Sequence, residues 1–258
     1  MIRVVLVGAA GRMGQAIWQA ATGAADLLVT ARIDRRENFS AEDGVWTDDA
    51  ASVIHPGEVV IEFSSPAGAA EAAKLCAERG VPLVSGSTGL SAEQEGVLRS
   101  ASARAAVLRA SNFSIGVAAL RRSLAAALSA LPGSWDVEIV ERHHRHKKDS
   151  PSGTALTLAA DVQARRGLGP EALRHGRAGA VGPRPAGEIG MHSLRGGTWV
   201  GDHAVILAGE GETLELRHVA QDRAAFAHGA LAAARFVSRA EPGLYGIEDL
   251  LERPGSAG

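Results

Sequence analysis

Short apolar runs alternate with longer alanine-rich stretches through the first part of the chain. Val4-Val5-Leu6-Val7, Leu27-Leu28-Val29, Val59-Val60-Ile61, Val81-Pro82-Leu83-Val84 and Val107-Leu108 are too short for helices and carry no polar residue, as expected of strands buried on both faces. The stretches between them carry helix-start signals. Ser65-Pro66 is an N-cap serine followed by proline at the first helical position, and Ser91-Ala92-Glu93-Gln94 has the spacing of a capping box. Buried strands separated by helices predict a doubly wound α/β domain with a parallel sheet. From about Trp135 the pattern changes. Asp136-Val137-Glu138-Ile139 alternates like a strand with one wet face, and Ser152 to about Arg165 reads as a helix. The Gly/Pro-rich passage Gly167 to Gly187 reads as a long loop. Ile189–Leu194, Thr198–Val200, Val205–Ala208 and Thr213–His218 read as short strands, with Gly196-Gly197 and Gly209-Glu210-Gly211 as turns. This predicts an antiparallel or mixed sheet in a smaller α+β domain. Phe226 to Ser238 returns to a helical pattern and is expected to pack on the first domain; the tail Glu252 to Gly258 is expected to fray.

Composition narrows the class. The chain has 258 residues, 46% of them hydrophobic, enough to bury a core without staples, and its net charge of −2 shows none of the basic excess of a nucleic-acid protein. The single cysteine, Cys76, cannot form an internal disulfide, falls inside a predicted helix and reads as a small core residue. No apolar run approaches the ~18 residues of a membrane span. The start resembles a signal peptide only superficially, since its apolar stretch runs at once into Gly11-Arg12-Met13-Gly14. The expectation is a soluble, cytoplasmic protein. Trp18, Trp46, Trp135 and Trp199 are scattered and read as packing residues.

Two segments carry candidate chemistry. Gly8-Ala9-Ala10-Gly11-Arg12-Met13-Gly14 follows the first strand and opens a helix, where glycines allow a tight turn and close approach to a pyrophosphate. Its spacing is G-x-x-G-x-x-G rather than G-x-G-x-x-G. Asp34 follows Gly14 by 20 residues, at the end of the second strand, where a carboxylate accepts ribose hydroxyls. That acid favours NADH, while Arg35 and Arg36 beside it offer charge to the 2′-phosphate of NADPH or sit in a solvated turn. The sequence specifies the cofactor class, NADH or NADPH, without choosing between them.

The other segment is Glu141-Arg142-His143-His144-Arg145-His146-Lys147-Lys148-Asp149. Four readings stand side by side. A metal site would use His143, His144 and His146, against repulsion from Arg145, Lys147 and Lys148. A nucleic-acid patch would want interleaved aromatics, which make up only 4% of the chain. A solvated loop is the generic account of a charge run. An anion site with acid–base capacity uses the histidines for proton transfer, and the helix start Ser152-Gly153-Thr154 for a carboxylate. A small dicarboxylate suits this last combination, and no metal is expected.

The stretch Glu138 to Ala155 resembles the signature of the dihydrodipicolinate reductase family. Val7 to Gly14 is similar to the family's nucleotide loop, Gly86-Ser87-Thr88-Gly89-Leu90 to its G-T-T-G-F segment, and Ala110-Ser111-Asn112-Phe113-Ser114-Ile115-Gly116-Val117 to its A-x-N-F-S-x-G-V. Arg195-Gly196-Gly197 with Val200-Gly201-Asp202-His203 resembles its R-x-G…V-G-[DE]-H, and Glu62-Phe63-Ser64 stands where the family has aspartate-phenylalanine-threonine/serine. The resemblance implies NAD(P)H-dependent reduction in the diaminopimelate route to lysine: loss of a 4-hydroxyl, hydride addition at C4 and protonation at C3. It places the dinucleotide at Gly8, Ala9, Ala10, Gly11, Arg12 and Met13, with Asp34 and Arg35 near the adenosine ribose. Gly86, Ser87, Thr88, Ala110, Ser111, Asn112 and Phe113 would lie along the nicotinamide side. His143 would be the catalytic proton donor and acceptor, Lys147 a proton donor, and His144, Gly153 and Thr154 the carboxylate holders. It further implies a homotetramer assembled through the second domain. The expected division is a dinucleotide-binding domain of residues 1–112 and 224–258 and a substrate-binding and oligomerisation domain of 113–223. The residues alone also allow another two-domain NAD(P)-dependent oxidoreductase, or a nucleotide sensor without turnover. They give no role to His203, His218 or His228.

Overall fold

The computed structural model describes residues 1–40 and 44–251, so the tail Glu252 to Gly258 lies outside the described residues. In chain order the elements are β1 (Ile2–Val7), α1 (Arg12–Thr22), β2 (Leu27–Ile33), β3 (Trp46–Thr47), β4 (Glu58–Glu62), α2 (Pro66–Arg79), β5 (Leu83–Ser85), α3 (Ala92–Ala101) and β6 (Ala106–Arg109). There follow α4 (Ile115–Ala130), β7 (Asp136–His143), α5 (Gly153–Arg166), β8 (Leu173–His175), β9 (Ile189–Arg195), β10 (Gly201–Ala208), β11 (Thr213–Ala220), α6 (Ala224–Val237) and β12 (Gly243–Tyr245). The chain divides into two compact units, Met1–Ile115 with Arg223–Gly258, and Gly116–Asp222.

The first unit is a parallel sheet in the order β12-β6-β5-β4-β1-β2-β3. The order reverses between β1 and β4, the switch point at which doubly wound sheets open a ligand crevice at the strands' carboxyl ends. The predicted helix starts are present. Ser65 accepts the Gly68 N–H ahead of Pro66, and Ser91 and Gln94 close a reciprocal capping box. One cluster joins Val5, Val60, Leu83 and Val107 of the sheet to Ala73, Cys76 and Leu98 of α2 and α3. Burial pushes the Cys76 thiol up to about 12, so it behaves as an inert core residue. The remaining helices of the unit, α1 and α6, pack against each other, and α6 lies on β4, β5 and β6.

In the second unit the sheet order is β11-β10-β7-β9-β8. Of the two arrangements expected, antiparallel or mixed, the sheet is the mixed one. Only β7–β10 and β10–β11 are antiparallel, whereas β7–β9 and β8–β9 are parallel. The sheet is mixed because α5 intervenes between β7 and the next strands, and a helical crossover returns the chain in its original direction. The supposed loop Gly167 to Gly187 contains the short edge strand β8. Thr198–Val200 forms no strand, because Gly196-Gly197 already turns the chain toward β10. Periodicity also missed β3, β12 and α4. The alternation of β7 holds along its full length, with Val137 and Ile139 packed on Leu158 and Val162 of α5. Of the four tryptophans, Trp18 and Trp46 flank the Arg32 guanidinium at 4.4 and 4.8 Å and Trp135 packs on the second core, but Trp199 is 45% exposed. Packing therefore does not account for Trp199.

The α6 helix approaches its neighbours so closely that a Cβ on Gly229 would sit 1.7 Å from the Phe113 carbonyl oxygen. Gly229→Ala is expected to destabilise the protein by about 1–3 kcal/mol, the range for overpacking a filled site. Thermal unfolding checks this as a Tm lowered by about 2–4 °C per kcal/mol.

Candidate active site

At the carboxyl end of β1 the chain turns through Gly8, whose φ is +79°. A Cβ there would also meet the Phe63 carbonyl oxygen at 2.5 Å, so only glycine fits. Gly14 stands against the same turn, since its Cβ would lie 2.2 Å from the Gly8 oxygen. Between them Gly11 caps α1 with no side chain, and the first turn carries no acid. The helix start is therefore open to an anion, and the lack of side chains at Gly8 and Gly14 lets a phosphate reach backbone N–H groups. Those features fit a dinucleotide. The Ala10 N–H donates to Asp34 Oδ2 at 2.9 Å, joining the loop to the end of β2. Asp34 Oδ1 accepts the Arg35 N–H at 2.9 Å and the Asn38 amide at 2.7 Å. Arg35 is exposed, with Glu37 3.3 Å away, while Arg36 donates to Asp48 at 2.7 Å.

Phe63, directly after β4, gathers the other candidates of this unit. Its carbonyl abuts Gly8, its ring leaves Gly86 no room for a Cβ, and it meets the Phe113 ring at 5.0 Å and 59°. Gly8, Gly86 and Phe113 thus converge where β1, β4, β5 and β6 end. Ala110 bonds Ser85 through its N–H at 3.2 Å, and Asn112 accepts the Ser114 N–H at 2.8 Å. Ser87 is buried, Thr88 and Ser111 are exposed, and Ala9 is buried behind the loop with Arg12 exposed beyond it.

In the second unit the residues at the end of β7 assemble around a carboxylate. Period-two alternation puts Glu141 and His143 on one face, with Glu141 Oε2 2.5 Å from His143 Nδ1. Arg195, ending β9, grips both Glu141 oxygens at 2.8 Å, and the Ser152 N–H adds a bond at 3.2 Å. Burial pushes the Glu141 carboxyl up, but Arg195, Ser193 and His143 outweigh it and bring it down to about 2. Burial lowers the His143 pKa against the pull of Glu141, with Lys147 and Arg195 adding to the lowering. A neutral His143 that donates its Nδ1 proton to ionised Glu141 leaves Nε2 as the acceptor nitrogen of the ring.

His203 of β10 meets His143 edge-on at 5.1 Å and has Nε2 3.0 Å from Ser152 Oγ. Burial, reinforced by His143, brings its pKa down to about 4. Its Nδ1 is buried without a hydrogen-bond partner. Ser152 caps α5 by accepting the Ala155 N–H, and a Cβ on Gly153 would meet nothing within 4 Å, leaving the helix start open beside Thr154. His144 donates its backbone N–H to the Trp199 oxygen, and Lys147 pairs with Asp149 at 2.9 Å. Burial also lowers the pKa of His218, which lies opposite His203 on β11, while His228 is exposed on α6. Among the described residues no group of His, Cys, Asp or Glu is arranged to hold a metal ion, and no helix is long and apolar enough to cross a membrane.

Comparison with known proteins decides the family. The family model described as dihydrodipicolinate reductase, N-terminus, matches residues 2–113, and the one described as dihydrodipicolinate reductase, C-terminus, matches residues 116–251. The chain belongs to the dihydrodipicolinate reductase family. Curated relatives called 4-hydroxy-tetrahydrodipicolinate reductase include one from Thermomicrobium roseum, 41% identical over 97% of this chain and 100% of its own. Another, from Sinorhizobium fredii, is 43% identical over 97% of each chain. A solved dipicolinate-bound dihydrodipicolinate reductase from Paenisporosarcina sp. superposes with a TM-score of 0.82 at 26% identity, over 96% of this chain and 99% of that one. A probable dehydrogenase from Thermotoga maritima, at 12% identity and a TM-score of 0.64, shares the fold. As in the rest of the dihydrodipicolinate reductase family, the parallel sheet is a nucleotide-binding Rossmann domain and the cofactor is a pyridine nucleotide.

The sequence places Ser152 in a helix start suited to a carboxylate, but Glu141, Arg195 and His203 stand in motifs without a role of their own. The alternation of β7 was a usable signal for Glu141, whereas Arg195 and His203 arrive from other strands. The depressed pKa values set the pH dependence. Glu141 contributes stability above its ordinary 4.5, lost as pH falls toward about 2; the neutral histidines contribute above 6.5, lost below it, with His203 titrating at about 4. Arg195→Met is expected to cost about 3–5 kcal/mol at neutral pH by stranding a buried carboxylate. It should also shrink the acid-induced loss between pH 4.5 and about 2, because a carboxylate no longer held below its ordinary value binds protons in the folded chain as readily as in the unfolded one; urea unfolding across the pH range reads this.

Proposed function

We infer that this protein reduces 4-hydroxy-tetrahydrodipicolinate to tetrahydrodipicolinate with NADH or NADPH, in the diaminopimelate route to lysine. The carrying observation is the Arg195–Glu141–His143 chain beside the open start of α5. Full-length likeness to relatives of that name supports the substrate.

In this reading residues 1–112 and 224–258 bind the dinucleotide and 113–223 bind the substrate and mediate assembly. Gly8 to Met13 hold the pyrophosphate, and Asp34 and Arg35 the adenosine ribose. Gly86, Ser87, Thr88 and the segment Ala110 to Phe113 flank the nicotinamide. The chemistry that the bound nucleotide supplies is hydride donation. Everything else falls to the protein. Gly153 and Thr154, with His144, take the substrate carboxylates, since a helix N-terminus and charge-assisted bonds favour an anion. Lys147 and His143 move the proton that the carbon skeleton needs after reduction. Glu141 fixes the His143 tautomer, and Arg195 holds Glu141 ionised. Assembly into a homotetramer through this unit completes the reading.

The test follows NADH and NADPH absorbance with substrate made freshly from pyruvate and aspartate semialdehyde. Substrate-dependent oxidation is expected, and the two kcat/KM values report what Asp34 and Arg35 prefer. His143→Gln and Lys147→Ala should each lower kcat by about 10²–10⁴-fold, the usual contribution of a positioned acid or base, with NADH affinity unchanged. Wild-type turnover in both variants would remove the assigned roles, and absence of turnover in the wild type would remove the reaction. Light scattering should read a tetramer's mass, and a monomer's mass would exclude the assembly.

A further inference from the structure

The nucleotide-binding unit contains a fully buried carboxylate to which the reaction gives no task. Glu62 is the last residue of β4, at the carboxyl edge of the sheet, and is fully buried. Its Oε1 accepts the Ser64 N–H at 2.6 Å, the Ser64 hydroxyl at 2.7 Å and the Ser87 hydroxyl at 2.6 Å; Oε2 accepts the Ser85 hydroxyl at 2.8 Å. All of these donors are uncharged.

Hydroxyls solvating a carboxylate lose their freedom of direction. A serine has one proton to donate and two lone pairs, and a carboxylate returns no proton. Each serine that donates to Glu62 therefore faces everything else as an acceptor. Ser85 is fully enclosed, but Ser64 is exposed and Ser87 is 6% exposed, between Gly86 and Thr88. Both sit at the strand ends where Phe63 meets Gly8 and Gly86.

We propose that Glu62 is a positioning residue that fixes the proton direction of Ser64 and Ser87, so that these two hydroxyls face the nucleotide site as acceptors and select the amide NH₂ of the nicotinamide carboxamide. The proposal rests on the dinucleotide reading of the unit. Without the carboxylate each hydroxyl could rotate to donate or accept, and the pair would no longer tell an NH₂ from a group lacking it.

Calorimetric titration of the full chain with three ligands tests this: NADH, its 3-acetylpyridine analogue with methyl in place of NH₂, and ADP-ribose, which has no nicotinamide. Wild type should bind NADH about tenfold more tightly than the analogue, the effect of one well-placed hydrogen bond. The double variant Ser64→Ala/Ser87→Ala and Glu62→Met should bring that ratio to within about twofold while ADP-ribose binds as before. Glu62→Gln, whose carbonyl can take the place of Oε1, should retain most of the ratio. ADP-ribose affinity reports folding, and the serine variant carries the test if Glu62→Met does not fold. A ratio near one in wild type, or one unchanged in the serine variant, overturns the proposal and leaves the nucleotide site standing. Failure of wild type to bind either ADP-ribose or NADH overturns the dinucleotide reading itself.

Discussion

Taking a carboxylate wholly out of water costs several kcal/mol, and the second unit is organised around the compensation for Glu141. The compensation comes from three places in the chain. Arg195 arrives from β9, His143 from the same face of β7, and the Ser152 N–H from the residue before α5. One buried charge therefore fixes two strand ends and a helix start relative to each other. It also removes the rotational freedom of His143, because a ring bonded through Nδ1 can offer only Nε2. A Cβ on Gly201 would come within 3.3 Å of that nitrogen, so the absence of a side chain leaves space beside it. The fixed orientation of the His143 ring and the tolerance of the buried charge have the same origin.

Elsewhere the protein solves the same electrostatic problem differently. Glu138, three residues earlier on β7, draws in the passage that follows α5. Arg177 and Arg184 reach it from that passage, and His192 from β9 at 2.7 Å. Burial pushes its carboxyl up, and these partners bring it down to about 2. Arg184 also pairs with Asp136 and donates to the Val137 carbonyl. Such a network explains why a Gly/Pro-rich stretch is anchored closely enough for β8 to pair with β9. Glu62 uses neutral hydroxyls and one backbone N–H instead of cations.

Much of this was legible in the sequence wherever the signal was local. Val4 to Val7 and Val59 to Ile61 are strands because unbroken apolar residues need cover on both faces, and Ser65, Ser91 and Ser152 cap helices because their oxygens reach N–H groups two or three residues on. The glycine loop and Asp34 were legible by spacing, and the Ala10–Asp34 bond joins them. What escaped depends on distant partners. β3 and β12 are edge strands of two and three residues, set by neighbours rather than by their own pattern. The order of the second sheet could not be read from strand spacing, since a run of short strands looks the same whether the return is a hairpin or a crossover. Arg195 lies 54 positions from Glu141, so no local pattern could pair them.

The first unit is built from two separated pieces of chain, and the second is inserted between them. Asp26, before β2, holds Arg235 of α6 through bonds of 2.7 and 2.8 Å across 209 positions. During synthesis, therefore, β1 to β6 emerge long before the helix that covers β4, β5 and β6 and the strand that pairs with β6. The inserted unit has all of its strands in hand first. Loop-closure entropy penalises such distant pairings until the intervening segment has compacted. The biosynthetic order thus casts the His143 unit as the piece that folds early and shortens the gap, and α6 with β12 as the clasp that completes the nucleotide unit last.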